Sequence, residues 1–324
     1  MSQESFTLCA DGGGSKLQLL LFDDHFRLRS TGKSGPVNGM LSPSEAAEQI
    51  HMAAEECTGN IPPGSIREAI LSSPGLNSPT SPIHLFFQEI LRHSPQAQCR
   101  IISEGKACLL AGSFRSEGFV ALSGTGSGIF QIGEKEDHLG GWGHLLGDFG
   151  SGFLIGKRGI QAAIRGEEGW GVSTELIELA CEEYGVSRLW DLVEWLYQQP
   201  FPIKLIAGFC RAVGKAANRG DPAAIAILQK SAREMADQAG AMLQRYPEKE
   251  PFVLVSGGSW KCSPLLYRFF SEKLVSRYPL AQVQRPVFEP VMGGVVLTLQ
   301  ERFPSDFRQH FDPIKEEFRE FLYG

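Results

Sequence analysis

The stretch Asp11-Gly12-Gly13-Gly14-Ser15-Lys16 follows a short apolar segment, Phe6 to Ala10, that has the composition of a buried strand. Glycine tolerates positive φ and lets phosphate oxygens approach backbone N–H groups, while an aspartate at a strand end can hold magnesium through water. The next segment, Leu17 to Phe22, is also apolar, and it stops at Asp23-Asp24-His25. That ending is typical of a hairpin rather than of a helix start. The sequence therefore predicts a strand, a phosphate-binding turn and a second strand.

The spacing of these glycines argues against two common classes of nucleotide-binding fold. The dinucleotide fingerprint needs GxGxxG and the P-loop needs GxxxxGK[ST], and in both the glycines lead into a helix. Neither spacing is present in this stretch. Taken alone, the turn is equally consistent with an ordinary tight hairpin.

Two further turns of the same kind change that balance. Phe119 to Leu122 leads into Ser123-Gly124-Thr125-Gly126-Ser127-Gly128 before an apolar strand resumes. Phe252 to Val255 leads into Ser256-Gly257-Gly258-Ser259, followed by a segment compatible with a helix. Glycine weakens the interior of a strand, so three apolar strands that end in glycine and hydroxyl clusters are poorly explained as coincidence. The three turns suit one nucleotide held between two halves of a protein.

The bulk composition is consistent with a soluble enzyme. The chain has 324 residues, 42% of them hydrophobic and 21% charged, which favours two domains with ordinary cores. A net charge of −6 and scattered basic residues argue against a nucleic-acid surface. No apolar run approaches the roughly 18 residues needed to span a bilayer, and no signal pattern opens the chain, so we expect a cytoplasmic protein without a membrane partner. Seven cysteines without a CxxC pair indicate neither a disulfide framework nor a zinc site.

Alternating strand and helix signals predict an α/β fold with two domains. We place the boundaries at 1–113 for the first domain and 114–304 for the second, which carries a helical insertion. The remaining segment, 305–324, contains an amphipathic stretch with two open alternatives, because it could pack back on the first domain or contact a partner. Both halves begin with a strand, a glycine turn and a strand, which suggests a duplicated architecture.

The most specific stretch of the chain is the glycine-rich segment Leu139 to Gly152, which contains a single tryptophan, histidine and aspartate. A long flexible loop is one interpretation. Against it, we expect Trp142, Leu145 and Leu146 to be buried. Asp148 is a candidate ligand for a hydroxylated substrate, because a carboxylate accepts hydrogen bonds from two sugar hydroxyls in a fixed geometry.

The motifs DGGGSK, SGTGSG, GGWGHLLGDxGSG, VSGGS and PVxGGV together resemble the N-acetylglucosamine kinase branch of the BadF/BadG/BcrA/BcrD family, within the actin, Hsp70 and sugar kinase superfamily. The resemblance covers roughly residues 6 to 300. It implies two ribonuclease-H-like domains of the actin-like ATPase type around an interdomain cleft that holds ATP and sugar. It also implies transfer of the γ-phosphate of ATP to the 6-hydroxyl of an amino sugar, with Mg²⁺.

Individual roles follow from this resemblance. Asp11 would act on the magnesium ion and in catalysis, and Thr125 would donate to a phosphate. The cofactor-binding residues would be Gly12, Gly13, Gly14, Ser15, Lys16, Gly124, Thr125, Gly126, Ser256, Gly257, Gly258 and Ser259. The sugar-binding residues would be Asn38, Ser127, Gly143, His144 and Asp148. Two of these keep a structural alternative, since Asn38 could serve a turn and His144 could satisfy a carbonyl group.

Two positions depart from the family pattern. Glu104 stands where the family usually places an aspartate as general base, and its extra methylene moves the carboxylate by roughly an ångström, a misplacement that can cost on the order of 10²-fold. Lys106 could pair with Glu104, reach a phosphate or remain solvated. Phe149 stands where the family most often has a glutamate that helps to hold the sugar. Its ring could stack on a hexose or fill the core.

Other functions stay open at this point. The chain could be a sugar or nucleotide sensor that kept the site and lost turnover, and the two departures would support that. It could be an ATPase activator that clamps an iron–sulphur cluster, although no cysteine adjoins a phosphate turn of the second domain. An actin-like filament or chaperone module would have no use for the glycine-rich sugar segment. Relatives often form homodimers, and the sequence does not decide the oligomeric state.

Overall fold

The computed structural model describes residues 4–14, 16–37, 41–73, 82–197 and 201–324. Two compact units make up the chain. Unit 1 comprises Met1–Ser116 and Pro286–Gly324, and unit 2 comprises Glu117–Arg285. Each unit is built on one five-stranded sheet with helices packed on it.

The sheet of unit 1 has the strand order β3-β2-β1-β4-β5. β1 pairs antiparallel with β2 and parallel with β4, and β4 pairs parallel with β5. Both β1 and β2 are almost wholly buried, which explains their continuous apolar sequence. The five strands are β1 (Phe6–Gly12), β2 (Leu17–Asp23), β3 (Leu28–Ser34), β4 (Ile66–Ser73) and β5 (Gln98–Ser103).

The sheet of unit 2 repeats this arrangement, with the order β10-β9-β6-β7-β8. β6 pairs antiparallel with β7 and parallel with β9, as β1 pairs with β2 and β4. The duplicated architecture suggested by the sequence is therefore present in the strand order and in the pairing directions. These strands are β6 (Gly118–Ser123), β7 (Ser127–Ile132), β8 (Asp137–Gly140), β9 (Phe252–Ser256) and β10 (Gln282–Gln284).

Short 3₁₀ turns lie between some of the helices. The helices of unit 1 are α1 (Pro43–Thr58), α2 (Ile83–His93), α3 (Glu104–Ser113), α12 (Gly293–Arg302) and α13 (Phe311–Glu317). Those of unit 2 are α4 (Gly143–Leu146), α5 (Gly152–Glu167), α6 (Leu176–Tyr184), α7 (Leu192–Leu196), α8 (Ile203–Gly208), α9 (Cys210–Asn218), α10 (Pro222–Arg245) and α11 (Pro264–Arg277).

The helix starts are determined by local side-chain chemistry. Ser42 caps α1 and forms a capping box with Glu45, directly before a proline at the first helical position. Asp221 caps α10 by accepting a hydrogen bond from Ala224 N at 2.9 Å, again before a proline. Both starts thus combine a side-chain cap with a proline that lacks a backbone N–H.

The structure places residues 286–304 in unit 1, whereas the sequence boundary at 304 assigns them to the second domain. The physical reason is the close packing of α12. A Cβ added to Gly293 would lie 2.6 Å from the Cα of Ala107 in α3, and one added to Gly294 would lie 2.4 Å from Cys9 Sγ in β1. The paired glycines thus let this helix pack directly on the sheet and on α3 of unit 1.

The C-terminal segment packs on unit 1 as well. Phe318 and Phe321 are buried, and the Phe318 ring meets Phe22 of β2 edge to face at 6.3 Å between centroids. Tyr323 N donates to Val287 O at 2.9 Å. Of the two alternatives for this segment, packing back on the first domain is the one observed. Across the described ranges, no helix is both long enough and apolar enough to cross a membrane.

Candidate functional site

In unit 1, polar side chains meet where three neighbouring parallel strands end. Asp11 on β1 lies opposite Ser72 on β4, and the Ser72 hydroxyl donates to Asp11 Oδ1 at 2.8 Å. Glu104 is the first residue of α3, directly after β5, and Ser103 caps that helix. Because the carboxyl ends of parallel strands lie at one edge of a sheet, two carboxyl groups that are 93 positions apart in sequence become neighbours.

Both carboxyl groups titrate above their usual range. Burial raises the pKa of Glu104 to about 8, and the nearby charge of Asp11 adds to the effect. Burial also raises the pKa of Asp11, opposed by the Ser72 hydrogen bond and the charge of Lys16, while Glu289 raises it further. Such pairs of perturbed acids are typical of catalytic sites. The helix start therefore offers a carboxylate basic enough to accept a proton near neutral pH.

Lys106 does not form the ion pair with Glu104 that the sequence left open. Its charge lowers the pKa of Glu301, together with the hydrogen bond and charge of Arg100, which dominate. The causes of the Glu104 shift are burial and Asp11 alone. Pairing between Lys106 and Glu104 is therefore not observed.

The first glycine turn joins β1 and β2, as predicted for a hairpin. Gly13 N donates to Lys16 O at 3.0 Å, and Gly12 pairs with Leu17 across the strands. Lys16 Nζ donates to Gln18 Oε1 at 2.7 Å. Two predicted site residues, Ser15 and Asn38, lie outside the described residues.

The donor set in unit 1 fits a magnesium nucleotide rather than a metal held by protein alone. In the described part of the chain, no group of three or more histidine, cysteine or acidic side chains could hold a metal ion. Magnesium is commonly bound by one or two carboxylates, water and substrate phosphates. One carboxylate at a strand end beside a glycine turn would therefore be enough as the protein ligand. Asp11, oriented by Ser72, is the residue that would hold it.

In unit 2, the second and third turns lie side by side at the end of adjacent parallel strands. Leu122 on β6 is opposite Ser256 on β9. Ser259 Oγ donates to Gly124 O at 3.0 Å, which joins the turns directly. Gly257 has φ +101°, and a Cβ there would lie 2.4 Å from Ser123 O, so only glycine allows this close approach.

Asp148 lies against the second turn. Its side chain is buried, accepts from Gly143 N at 3.2 Å and would contact a Cβ added to Gly126 at 2.9 Å. Burial raises the pKa of Asp148, while hydrogen bonds from the backbone of Gly143 and Ser127 and the charge of His144 oppose that rise. Its backbone is left-handed, with φ +52°. The structure thus brings Gly126, Ser127, Gly143 and Asp148 together, and it assigns no ligand to them.

The expected burial of Trp142, Leu145 and Leu146 is wrong. Their relative exposures are 72%, 82% and 78%. The physical reason is that the carboxylate of Asp148, rather than an apolar side chain, occupies the buried side of this segment and is bonded to its backbone. Phe149 is also 47% exposed, which excludes the interpretation that it fills the core of unit 2.

His144 packs among aromatic rings. Its imidazole meets Phe153 edge to face at 5.1 Å and stacks on Phe201 at 5.8 Å between centroids. Neither the sugar-binding role nor the hydrogen bond to a carbonyl follows from this packing, and the sugar-binding role stays a prediction.

Three polar residues that shape the two edges were not among the predicted site residues. Ser72 orients Asp11, Ser123 Oγ donates to Gly150 O at 2.8 Å, and Glu289 raises the pKa of Asp11 from a position 278 residues further along the chain. The two serines could have been found, because each is a hydroxyl at the end of an apolar strand. Glu289 carries no comparable signal, since only the placement of residues 286–304 in unit 1 brings it near.

The chain is similar in sequence to known kinases. The chain is 27% identical over 205 residues to an N-acetylmuramic acid/N-acetylglucosamine kinase of Clostridium acetobutylicum, an alignment that covers 62% of this chain and 67% of that one. It is 27% identical over 193 residues to an N-acetyl-D-glucosamine kinase of Dictyostelium discoideum, covering 57% of this chain and only 60% of the relative.

Solved structures confirm the predicted fold of two ribonuclease-H-like, actin-like units. A candidate N-acetylglucosamine kinase from Porphyromonas gingivalis matches with a TM-score of 0.71 at 19% identity, covering 92% of this chain and 99% of that one. A ROK family glucokinase from Streptomyces griseus, solved with glucose and AMPPNP, matches with a TM-score of 0.54 at 16% identity, covering 90% and 97%. A model of the BadF/BadG/BcrA/BcrD ATPase family matches residues 10–298, which is most of the chain. The chain carries two carboxyl groups at the sheet edge of unit 1 and paired glycine turns at the sheet edge of unit 2. It belongs to the BadF/BadG/BcrA/BcrD ATPase family.

Proposed function

We propose that the chain is an ATP-dependent amino-sugar kinase that transfers the γ-phosphate to the 6-hydroxyl of N-acetylglucosamine or a related hexosamine. The observation that carries the proposal is the meeting of Asp11 and Glu104 at one sheet edge, with the pKa of Glu104 raised to about 8. Sequence relatives from Clostridium acetobutylicum and Dictyostelium discoideum, named as kinases of such sugars, support this substrate class.

Each group of residues would have one role. Asp11 would hold Mg²⁺, which supplies charge neutralisation on the transferring phosphoryl group. The turns Gly12–Lys16 and Gly124–Gly126 would bind phosphates through backbone N–H groups, and Ser256–Ser259 would bind adenosine. Asn38, Ser127, Gly143, His144 and Asp148 would bind the sugar, with Asp148 accepting from its hydroxyls.

The proton balance assigns Glu104 as general base. The sugar 6-oxygen forms a bond to the γ-phosphorus while the bond from that phosphorus to the ADP oxygen breaks. The hydroxyl proton passes to the ionised Glu104, so the products are a sugar 6-phosphate and ADP. A carboxylate with a pKa of about 8 is partly ionised at neutral pH and holds the proton well once it has taken it.

One assay separates the kinase from the two other functions that the sequence left open, a sensor and an ATPase activator. We expect sugar-dependent ADP release from a panel of glucosamine, N-acetylglucosamine, N-acetylmannosamine, N-acetylmuramic acid and glucose, with mass spectrometry of the phosphorylated product. ATP and sugar binding without ADP release would identify a sensor. A rate of ADP release that is the same with and without each sugar would identify an ATPase activator.

Glu104→Gln tests the base within that assay. We expect sugar-dependent ADP release to fall by on the order of 10²–10⁴-fold while the affinity for ATP is unchanged, because only proton transfer is lost. Glu316→Gln on the exposed face of α13 is the matched control, since its carboxylate is 82% exposed. Unchanged turnover in Glu104→Gln would show that the base is another group.

A further inference from the structure

A cavity of about 380 Å³ in unit 2 is lined by none of the residues of the glycine turns. One wall is α5 between Arg158 and Arg165, and the other is α10 between Ala223 and Lys230. The loop after α5, including Gly171 and Val172, closes one side. This volume falls in the range of small-molecule sites, which is roughly 300–1,000 Å³.

The charged lining of this cavity is entirely cationic. Arg158, Arg165 and Lys230 line it, and no acidic side chain does. This is unexpected for a chain with net charge −6. Arg158 is neutralised by Glu234, with nitrogen–oxygen distances of 2.6 and 2.8 Å. Within the described ranges, neither Arg165 nor Lys230 forms an ion pair within 4 Å, so both cations can contact a ligand in the cavity.

The walls are held in place by specific contacts. The Asp221 carboxylate caps α10 and also accepts from Glu175 N at 2.8 Å, which ties the loop after α5 to the start of α10. A Cβ on Gly171 would lie 2.8 Å from the Cβ of Arg165, so this loop packs directly on α5. The Arg165 guanidinium lies 5.7 Å from the centre of the Trp170 ring, which limits where its charge can be. These contacts hold α5, the loop after it and the start of α10 together.

The remaining lining is mostly apolar. Ala162 on α5 and Ala223 and Ile227 on α10 are buried side chains without polar atoms that line the cavity beside the cations. Such a surface excludes water from one side of a ligand and gains from contact with its apolar part. A bare hydrated anion would leave this surface unused.

We propose that this cavity binds a small phosphate monoester whose organic part has an apolar face. A phosphate monoester carries about −1.5 to −2 charges at neutral pH, which matches these two cations, whereas a carboxylate would balance only one. Arg165 offers the planar pair of donors that suits phosphate oxygens, and Lys230 offers a point charge. The ester's organic part lies against Ala162 and Ile227. This site does not depend on the kinase proposal.

Calorimetric titration with phenyl phosphate tests the site on the full chain. We expect Lys230→Gln and Arg165→Gln each to weaken binding roughly tenfold or more, because each removes a charge-assisted contact. Ala226→Glu, which places a carboxylate at a lining position on α10, should abolish it. Lys273→Gln, an exposed lysine on α11, is the matched control and should bind as the wild type does. Thermal unfolding confirms that the variants are folded.

Three results would overturn the proposal. The first is equal phenyl phosphate affinity in wild type and in both cation variants, which would place the ester elsewhere, for example at the phosphate turns. The second is binding of inorganic phosphate as tight as that of the ester, which would mean that the apolar surface contributes nothing. The third is equally tight binding of benzoate, which would replace the phosphate class by simple carboxylates.

Discussion

Unit 1 and unit 2 have the same strand order but different chemistry at the same place. Asp11 lies opposite Ser72 at the end of β1, and Leu122 lies opposite Ser256 at the corresponding end of β6. Each central strand continues into a glycine turn and an antiparallel partner. One sheet edge therefore presents an acid, while its counterpart presents an apolar side chain in the same register.

The difference extends to the groups around each edge. In unit 1 the acid is accompanied by Glu104 and Glu289, both of which interact electrostatically with it. In unit 2 the hydroxyl of Ser259 joins the two turns, and Gly257 allows their close approach. These turns present mainly backbone groups and hydroxyls. Under the proposed function, the copy in unit 1 would serve metal and proton chemistry, and the copy in unit 2 would bind neutral and anionic groups through main chain and hydroxyls.

A large effect is expected from removing the Asp11 charge, which distinguishes the two edges. We expect Asp11→Asn to lower turnover by on the order of 10²–10³-fold, because the amide still accepts from Ser72 but no longer holds magnesium as a carboxylate does. The measurement is sugar-dependent ADP release over a magnesium titration. The magnesium requirement should rise while nucleotide binding without metal stays the same. Asp312→Asn on α13 is the control, and an unchanged magnesium requirement in Asp11→Asn would contradict the assignment.

The next effect concerns the one buried acid of the candidate site in unit 2. Asp148→Asn keeps the left-handed backbone, which asparagine tolerates, and removes the charge. We expect the KM for sugar to rise roughly tenfold or more, with the KM for ATP nearly unchanged, because a buried hydrogen-bond acceptor for hydroxyls is replaced by a weaker one. The readout is the ratio of the two KM values. A rise confined to the KM for ATP would mean that Asp148 serves the phosphate turn instead.

Much of this comparison is readable from the sequence, because it rests on local patterns. The hairpin at Gly12, the cap at Asp221 and the buried strands follow from glycine, proline and runs of apolar residues, whose effects are confined to near neighbours. The placement of α12 in unit 1 depends on contacts of Gly293 with Ala107 across 186 positions, and no local pattern carries that information. The prediction that Trp142 is buried fails for a related reason, since the burial of a tryptophan depends on what the fold packs against it.

Candidate site residues follow the same division. The location of the glycine turns was predictable, because the backbone requirement and the motif coincide, and the binding roles of their residues stay predictions. The raised pKa of Glu104 was not, since it depends on burial at the end of β5 and on the charge of Asp11 brought near by sheet pairing. The sequence predicted a carboxylate there, and only the fold determines its ionisation.

A smaller effect tests the close approach of strands in unit 2. We expect Gly257→Ala to lower the free energy of unfolding by about 2 kcal/mol or more, because its φ of +101° and the 2.4 Å approach of Ser123 O leave no room for a methyl group. Gly258→Ala is the matched control, since a Cβ there meets nothing within 4 Å. Chemical denaturation measures both. Equal stability of the two variants would contradict the geometry at the third turn.

The smallest expected effect is a pH-dependent gain in the free energy of unfolding of Glu104→Gln. It tests whether the acids of unit 1 make its sheet edge sensitive to pH. The pKa of Glu104 is about 8 in the folded chain and near 4.5 when the group is free in water. Below pH 4.5 both states hold the proton, so the wild type and the variant should differ little. Between pH 4.5 and 8 the unfolded wild type releases its proton while the folded state keeps it, which favours unfolding as the pH rises.

We therefore expect the variant to exceed the wild type by about 1 kcal/mol, or roughly 2–4 °C in Tm, near pH 8, and by almost nothing near pH 4. This is well below the full value of the shift, because the half-buried Glu104 is partly screened by water. Thermal unfolding without metal or nucleotide measures it, with Glu316→Gln as the exposed control. A gain of the same size at pH 4 and pH 8 would assign it to packing at the start of α3, because ionisation alone makes the difference depend on pH.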